Sequence, residues 1–157
     1  MTPTAYTDVQ RGVVLMRFQL IAAVHVFLIK DGQVLMLRRF NTGYEDGRYS
    51  VPAGHLDGGE TVLAAAQREV LEECGVHIPV EHLTPAGVMH RQAEDERVDF
   101  FLTARCWDGQ IVNREPDKCD DLSWWDVTAL PPNTIGYVRA GLTTCLTGQW
   151  FLEYGWD

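Results

Sequence analysis

The chain has 157 residues, of which 46% are hydrophobic and 22% charged, a composition typical of one globular domain rather than of a disordered segment. Its formal net charge of −9 disfavours a nucleic-acid polymer as partner, because binding a phosphate backbone requires a basic surface. No apolar run approaches the roughly 20 residues of a membrane helix and no secretion signal is evident, so we expect a cytoplasmic protein without membrane association, either a monomer or a homodimer.

The N-terminal half of the chain predicts an arm, a hairpin and a loop. Residues 1–17 are expected to form a loose arm or an edge segment. The next apolar stretches are rich in β-branched side chains and predict two strands, over 18–29 and 33–39. The turn Lys30-Asp31-Gly32 between them favours a hairpin. A glycine-containing loop over 41–48 is followed by a short extended segment, 49–52, since the residue before a proline avoids helix.

The rest of the chain predicts two helices separated by strands. The clearest helix spans 61–74, where Thr61 is a good N-cap and Gly75 is placed to end it. A second helix is expected after the Pro131-Pro132 break, over 134–146. The strands expected between the helices cover 88–91, 99–107, a short stretch after the turn Asp108-Gly109, and 122–125. This order of elements predicts an α/β sandwich with a mixed β-sheet between helices, in a single domain over 1–157.

The first helix has two chemically different faces at about 100° per residue. We expect one face to pack inward, and it carries the apolar side chains of Leu63, Val70, Leu71 and Cys74. The opposite face carries three carboxylates, those of Glu69, Glu72 and Glu73. The small side chains of Ala65 and Ala66 flank these carboxylates and leave them uncovered.

Three carboxylates within five residues repel one another, and they lie near the helix C-terminus, where the helix dipole disfavours anions. Only Arg68 is close enough to offset this charge. A bound cation would resolve the conflict, and carboxylate oxygens with room for water suit Mg²⁺ or Mn²⁺. The three glutamates alone would fit an acidic surface helix as well. The preceding loop favours a ligand site, because Gly54, Gly58 and Gly59 let the backbone approach a ligand closely.

The stretch 54–76 resembles the signature of the Nudix hydrolase family at every fixed position, without a gap. The matching residues are Gly54, Glu60, Arg68, Glu69, Val70, Glu72, Glu73, Gly75 and Val76. The resemblance implies the family's αβα sandwich over most of the chain. It also implies a Mg²⁺-dependent (or Mn²⁺-dependent) hydrolase of a small-molecule nucleotide, in which a nucleoside diphosphate is linked to another group.

The same resemblance implies roles for individual residues. Glu69, Glu72 and Glu73 match the metal-binding glutamates of the family. Glu69 also matches the position proposed as general base in one branch. The Gly54 carbonyl matches a backbone metal ligand. Glu60 and Arg68, about two helical turns apart, match a structural pair that orients the helix.

Three residues outside the signature are weaker candidates. Glu115 precedes the Trp124-Trp125 strand and is the candidate for a further metal-binding acid, although it could equally be an ordinary loop residue. Arg39 matches an arginine that reaches substrate phosphate in some relatives. Asn133 resembles a purine-contacting residue of the MutT-like branch, but an N-cap or turn role is the more common one for such a residue.

Several functions remain open within this family. Residues 91–94 lack the proline and the tyrosine expected in ADP-ribose and dinucleoside-polyphosphate hydrolases, and 113–119 followed by Trp124-Trp125 resembles the MutT-like nucleoside-triphosphate branch. We therefore expect (d)NTPs to be cut to a monophosphate and pyrophosphate. The alternatives are an ADP-ribose or dinucleoside-polyphosphate hydrolase and, from another class, a non-catalytic nucleotide-sensing module.

Overall fold

The computed structural model describes residues 4–8 and 13–157. Strands β1 (Thr4–Asp8) and β2 (Val13–Arg17) pair antiparallel in a two-stranded sheet of their own. They fall within the stretch 1–17, for which the sequence predicts a loose arm or an edge segment. The other residues of that stretch, 1–3 and 9–12, lie outside the described part of the chain.

The main sheet has eight strands and is mixed. Its strands are β3 (Ile21–Lys30), β4 (Gln33–Arg39), β5 (Tyr49–Ser50), β6 (Ala53–His55), β7 (Thr84–Gln92), β8 (Glu96–Ala104), β9 (Cys119–Asp126) and β10 (Phe151–Tyr154). The strand order is β10-β7-β8-β3-β4-β5, with β6 paired to β3 and β9 paired to β4. The pairs β3/β8 and β7/β10 are parallel, whereas the other pairs in this sheet are antiparallel.

Two helices cover the two faces of this sheet. Helix α1 (Val62–Cys74) and helix α2 (Gly136–Thr147) belong to separate buried clusters. Alternate residues of β3 divide between them: Val24, Val26 and Leu28 join the α1 cluster, and Phe27 and Ile29 join the α2 cluster. This alternation follows from the pleat, which turns successive side chains to opposite faces. The expected α/β sandwich, with a mixed sheet between helices, is therefore confirmed. Within the described residues, no helix combines the length and apolar character needed to cross a membrane.

Sequence patterns located most elements but not all of them. The strand predicted over 33–39 is confirmed as β4, and helix α1 begins after Thr61, whose hydroxyl accepts a hydrogen bond from the Ala64 amide at 3.0 Å. The strand predicted after Asp108-Gly109 is wrong, because 110–118 forms an irregular loop. Two strands were not anticipated, the short β6 and the C-terminal β10, since neither has the length or alternation that marks a strand in sequence.

Helix α1 is rotated relative to the expected orientation. Its buried residues are Ala65, Ala66, Val70 and Cys74, whereas Leu71, predicted to pack inward, is 47% exposed. At 100° per residue this places the packed face about 60° from the predicted one. The alanines allow a close approach to the sheet, and as a result Glu69 and Glu73 border the packed face instead of lying opposite it. The inward packing predicted for Val70 is confirmed, and Leu63 is partly buried against the same cluster.

This rotation predicts unequal effects for two neighbouring truncations. Val70→Ala should lower the free energy of unfolding by about 2 kcal/mol, because Val70 is fully buried. Leu71→Ala removes more atoms but should cost less than half as much, since Leu71 is largely in solvent. Urea denaturation of the two variants checks this, and a larger loss for Leu71→Ala than for Val70→Ala would contradict the observed orientation.

Candidate metal and phosphate site

The glycine-rich loop brings strand β6 and helix α1 together. Strand β6 pairs with β3, so that Gly54 lies opposite Val24. The chain then turns through Gly58 and Gly59, whose positive φ angles of 82° and 70° favour glycine, and enters α1 at Val62. The loop therefore returns the helix across β6 and sets its acidic side against the backbone of that strand.

Glu69 and Glu73 both contact the backbone of β6. A Cβ atom at Gly54 would overlap with the carboxylate of Glu69, so that any other residue at this position would require that carboxylate to move. One turn further along α1, Glu73 Oε2 accepts a hydrogen bond from the Ala53 amide at 2.9 Å. These contacts place two carboxylates beside the Gly54 backbone, as a metal site with a carbonyl ligand requires.

Arg68 joins the loop to the helix. Its guanidinium donates to both oxygens of Glu60, at 3.1 Å from Nε and 2.7 Å from Nη2, and Nη1 donates to Glu69 Oε1 at 2.6 Å. Nη2 also donates to the His55 carbonyl at 3.2 Å. The hydrogen bonds from Arg68 lower the pKa of Glu60. The carboxylates of Glu60 and Glu69 in turn raise the pKa of the Arg68 guanidinium. The structure thus brings together the predicted pair Glu60 and Arg68, and it connects that pair directly to Glu69.

The loop 110–118 closes the site from the other side. Its backbone amides satisfy carbonyls at the end of α1: the Val112 amide donates to the Cys74 carbonyl at 3.0 Å, and the Arg114 amide to the Glu73 carbonyl at 3.1 Å. Asn113 holds the next turn, since its side chain donates to the Cys119 carbonyl at 2.7 Å and accepts from the Glu115 amide at 3.1 Å. The sequence pattern does not single out Asn113, although an Asn in a polar loop often makes such local backbone bonds.

A cavity of about 470 Å³ lies between helix α1 and this loop, and it is the carboxylate cleft of this protein. Four acids line it: Glu69, Glu72, Glu73 and Glu115. Its remaining lining residues are Leu37, Arg39, Asn41, Thr42, Asn113, Lys118, Cys119 and Leu122. The structure therefore brings the candidate acid Glu115 to the same cavity as the three glutamates of the helix.

Burial and mutual repulsion govern the charges in the cleft. Burial, reinforced by the charge of Glu69, raises the pKa of Glu73 well above its usual range. Burial also raises the pKa of Glu69, against the opposing effect of the Arg68 hydrogen bond. The carboxylates do not form a tight cluster. Among the described residues, no three His, Cys, Asp or Glu side chains are close enough to hold an ion by themselves. They instead line an open cavity of about 470 Å³.

The donor set matches a hard, hydrated cation. Carboxylate oxygens and a carbonyl, in a cavity with room for water, suit Mg²⁺ or Mn²⁺ better than zinc, which favours nitrogen and sulfur ligands. Glu69, Glu72, Glu73, Glu115 and the Gly54 carbonyl are the groups that could hold such an ion. Bound there, the ion would neutralise phosphate oxygens and acidify a water molecule.

The two predicted substrate contacts have different positions. Arg39 ends β4 at the rim of the carboxylate cleft, where its Nε donates to the Tyr44 carbonyl at 2.7 Å and its Nη2 to Thr42 Oγ1 at 3.0 Å. Asn133 is not brought to the cleft. Its side chain donates to the Gly47 carbonyl at 2.8 Å and thereby fixes the loop that carries Thr42 and Tyr44.

The contact between Gly54 and Glu69 predicts a sharp effect of adding one methyl group. Gly54→Ala should weaken Mg²⁺ binding and lower metal-dependent turnover by at least about tenfold, because the carboxylate of Glu69 must move away from the strand. Gly87→Ala is the matched control, since a Cβ at Gly87 meets its nearest atom at an ordinary 3.6 Å. Metal titration and steady-state rates measure both variants, and equal behaviour of the two would contradict the role given to Gly54.

The protein is therefore an α/β sandwich in which a glycine-rich loop presents glutamates of the first helix to an open cleft. The NUDIX domain family model matches residues 19–143. The chain therefore belongs to the NUDIX domain family.

Similar proteins agree with this assignment. The chain is 31% identical over 108 residues to the human 8-oxo-dGDP phosphatase NUDT18, and the matched region covers 68% of this chain and 32% of that protein. It is 29% identical over 103 residues to the NAD-capped RNA hydrolase NudC of Vibrio parahaemolyticus, covering 66% of this chain and 37% of that protein. The chain thus spans about a third of the length of these curated relatives.

A solved structure supports the fold. The crystal structure of a MutT NUDIX hydrolase from Burkholderia pseudomallei superimposes with a TM-score of 0.74 and 25% sequence identity. The match covers 81% of this chain and 98% of that one. The sandwich of this protein therefore matches a known NUDIX structure over nearly the whole length of that structure.

Proposed function

We propose that this protein is a Mg²⁺-dependent hydrolase that cuts a phosphoric anhydride bond in a small nucleotide. The single observation that carries the proposal is the carboxylate cleft, in which Glu69, Glu72, Glu73 and Glu115 line one cavity beside Arg39. Such an excess of carboxylates would repel a phosphate chain, and a divalent cation between them removes the conflict.

The chain's own residues divide the work of the reaction. Arg39 binds the phosphate chain at the rim, where among the described residues no carboxylate forms an ion pair with it. Glu69 accepts the proton of the attacking water, and Arg68 holds it in place through Oε1. The water oxygen forms a bond to phosphorus, the bridging P–O bond breaks, and its electron pair leaves with the departing phosphate group. A positioned base typically contributes about 10²–10⁴ in rate.

We propose (d)NTPs as the substrates, which would yield a nucleoside monophosphate and pyrophosphate. Support comes from the segment 113–119 and the Trp124-Trp125 strand, which resemble the nucleoside-triphosphate branch. Residues 91–94 also lack the markers of the ADP-ribose and dinucleoside-polyphosphate branches. The two curated relatives act, by their names, on 8-oxo-dGDP and on NAD-capped RNA, both of which contain a nucleoside diphosphate group.

Steady-state kinetics on dNTPs, ADP-ribose, diadenosine tetraphosphate and NADH test the substrate class. We expect kcat/KM to be highest for a triphosphate, because 113–119 and the Trp124-Trp125 strand resemble the nucleoside-triphosphate branch. Differences in kcat/KM measure stabilisation of the transition state relative to free enzyme and substrate. A value for ADP-ribose about tenfold or more above that of every triphosphate would reject the triphosphate assignment and leave the general hydrolase.

A further inference from the structure

Arg39 uses one edge of its guanidinium for contacts within the protein. Its Nε donates to the Tyr44 carbonyl and its Nη2 to Thr42 Oγ1, and these two nitrogens form the side edge of the group. Nη1 donates to no other residue in the part of the chain that the structure describes. Because the five N–H groups of an arginine lie in one rigid plane, the end edge formed by Nη1 and Nη2 is left for a two-point contact with a phosphate.

Both acceptors of Arg39 belong to the loop 40–47, which connects β4 to β5. Two residues of this loop other than glycine have positive φ angles, Asn41 at 54° and Glu45 at 51°. Asparagine adopts this left-handed conformation readily, whereas glutamate does so rarely. The loop therefore keeps its conformation only where other contacts hold it in place.

Asp46 supplies contacts of that kind. Its Oδ1 accepts from Thr42 Oγ1 at 2.5 Å and from the Thr42 amide at 3.0 Å, and its Oδ2 accepts from the Gly43 amide at 2.8 Å. The hydrogen bonds from Thr42 lower the pKa of Asp46, so that it is an anionic acceptor at neutral pH.

Thr42 connects Asp46 to Arg39. The Thr42 hydroxyl has one hydrogen, and its bond to Asp46 is shorter than the 3.0 Å contact with the Tyr44 carbonyl. With the hydrogen directed at Asp46, Oγ1 is left as an acceptor for Arg39 Nη2. Asp46 therefore acts on the guanidinium through Thr42, since among the described residues no carboxylate forms an ion pair with Arg39.

We propose that Asp46 is a positioning residue for Arg39: through Thr42 it holds the side edge of the guanidinium before substrate binds, so that the end edge is free for the phosphate chain. The proposal rests on the proposed function, which assigns the phosphate chain to Arg39. A long side chain that is ordered only on binding loses rotational freedom at that moment and weakens affinity. Asp46 removes this cost in advance, although it is not among the residues that line the carboxylate cleft.

Calorimetric titration with magnesium pyrophosphate tests the proposal without any turnover. Asp46→Ala should raise the Kd about tenfold, because Arg39 must then be ordered during binding. Thr42→Val keeps the shape of the side chain but lacks the hydroxyl, and it should weaken binding in the same direction. Thr42→Ser keeps the hydroxyl and should bind at least about threefold more tightly than Thr42→Val.

Asp126→Ala is the matched control. Asp126 is also an exposed carboxylate that accepts from the amide and the hydroxyl of a nearby threonine, those of Thr128 at 2.8 and 2.6 Å. It is not among the residues that line the carboxylate cleft. The Kd of this variant should therefore equal that of the wild type.

A double-mutant cycle separates positioning from a purely structural role. Arg39→Ala alone should weaken binding of magnesium pyrophosphate. Adding Asp46→Ala to Arg39→Ala should then change the Kd by less than about twofold, because no guanidinium is left to position. A purely structural role of Asp46 would weaken binding by the same factor in both backgrounds. Thermal melts show whether each variant is folded, and Thr42→Val serves in the same cycle if Asp46→Ala does not fold.

Four results would overturn the proposal: no binding of magnesium pyrophosphate by the wild type, equal binding by wild type and Arg39→Ala, an unchanged Kd in the folded Asp46 and Thr42 variants, or equal losses in both backgrounds of the cycle. The proposed activity is decided separately. Coupled losses of binding in a protein that hydrolyses no nucleotide would reject the hydrolase and retain the positioning role. Hydrolysis without any effect of Asp46 on binding would do the reverse.

Discussion

Glu73→Gln should lower metal-dependent turnover by about 10²–10⁴ while the protein remains folded. Glu73 lines the carboxylate cleft, and its Oε2 accepts from the Ala53 amide. Glutamine has nearly the same shape and can still accept that hydrogen bond through its carbonyl oxygen, so the substitution removes the charge and little else. A divalent cation loses one anionic ligand, and its affinity should fall together with the rate.

Glu72→Gln should also lower the rate by orders of magnitude, although Glu72 is about half exposed and contributes little to packing. Glu81→Gln is the matched control, because Glu81 is an exposed residue of the short 3-10 helix Val80–His82, away from the cleft. Initial rates at several Mg²⁺ concentrations, with thermal melts for folding, measure all three variants. Wild-type rates in either cleft variant would contradict the metal site.

Asp99→Asn should lower the free energy of unfolding by about 3–5 kcal/mol at neutral pH, the typical loss when one partner of a buried ion pair is removed. Asp99 is completely buried on β8, where it accepts a hydrogen bond from Arg91 Nε at 2.7 Å and lies 2.9 Å from His25 Nε2. Arg91 is only 3% exposed, and its guanidinium lies 3.7 Å from the centre of the Tyr137 ring. Without Asp99 its charge stays buried and unpaired. Asp120→Asn is the control, since the pair of Asp120 with Arg38 is solvent-exposed and should contribute little.

The same network predicts an acid dependence of stability. Burial acts to raise the pKa of Asp99, but the hydrogen bonds from His25 and Arg91 outweigh it and hold that pKa at about 2, below the ordinary 3.8. A carboxylate whose pKa is lowered by folding stabilises the protein above pH 4, and this contribution is lost as the pH falls towards 2. Urea denaturation between pH 7 and 2.5 should show a smaller acid-induced loss in Asp99→Asn than in wild type. Identical pH profiles would contradict this account.

Local sequence rules located the parts of the site that are close together in the chain. Thr61 and Gly75 bound helix α1 because caps act over a few residues. The pair of Glu60 and Arg68 was implied by the family signature, and it forms because Glu60 lies in the loop that turns back against the first turns of α1. The rotation of α1 could not be predicted, because it depends on which face meets the sheet. Ala65 and Ala66 are buried but too small to mark a packed face in a hydrophobicity pattern. Leu71 is strongly hydrophobic and therefore indicates a packed face, although it is exposed.

The buried network required knowledge of strand register. In the parallel pair β3/β8, Ala23 lies opposite Asp99, and in the antiparallel pair β7/β8, Met89 lies opposite Asp99. His25 and Arg91 are each two residues beyond these partners, so both are diagonal neighbours of Asp99 on one face of the sheet. No local pattern links positions 25 and 99, which are 74 residues apart. The loop 110–118 was misassigned as partly strand for the same reason, since backbone bonds to the end of α1 fix its conformation.

The most direct test of the central claim is ³¹P NMR of the wild-type protein with a deoxynucleoside triphosphate, followed with Mg²⁺ and then with EDTA. With Mg²⁺ we expect the triphosphate resonances to be replaced by those of a monophosphate and pyrophosphate, and in EDTA we expect no change. Cleavage at the same rate in EDTA would contradict the metal-dependent cleft. An unchanged spectrum for every nucleotide tested, with either Mg²⁺ or Mn²⁺ and with nucleotide bound, would show a sensing module in place of a hydrolase.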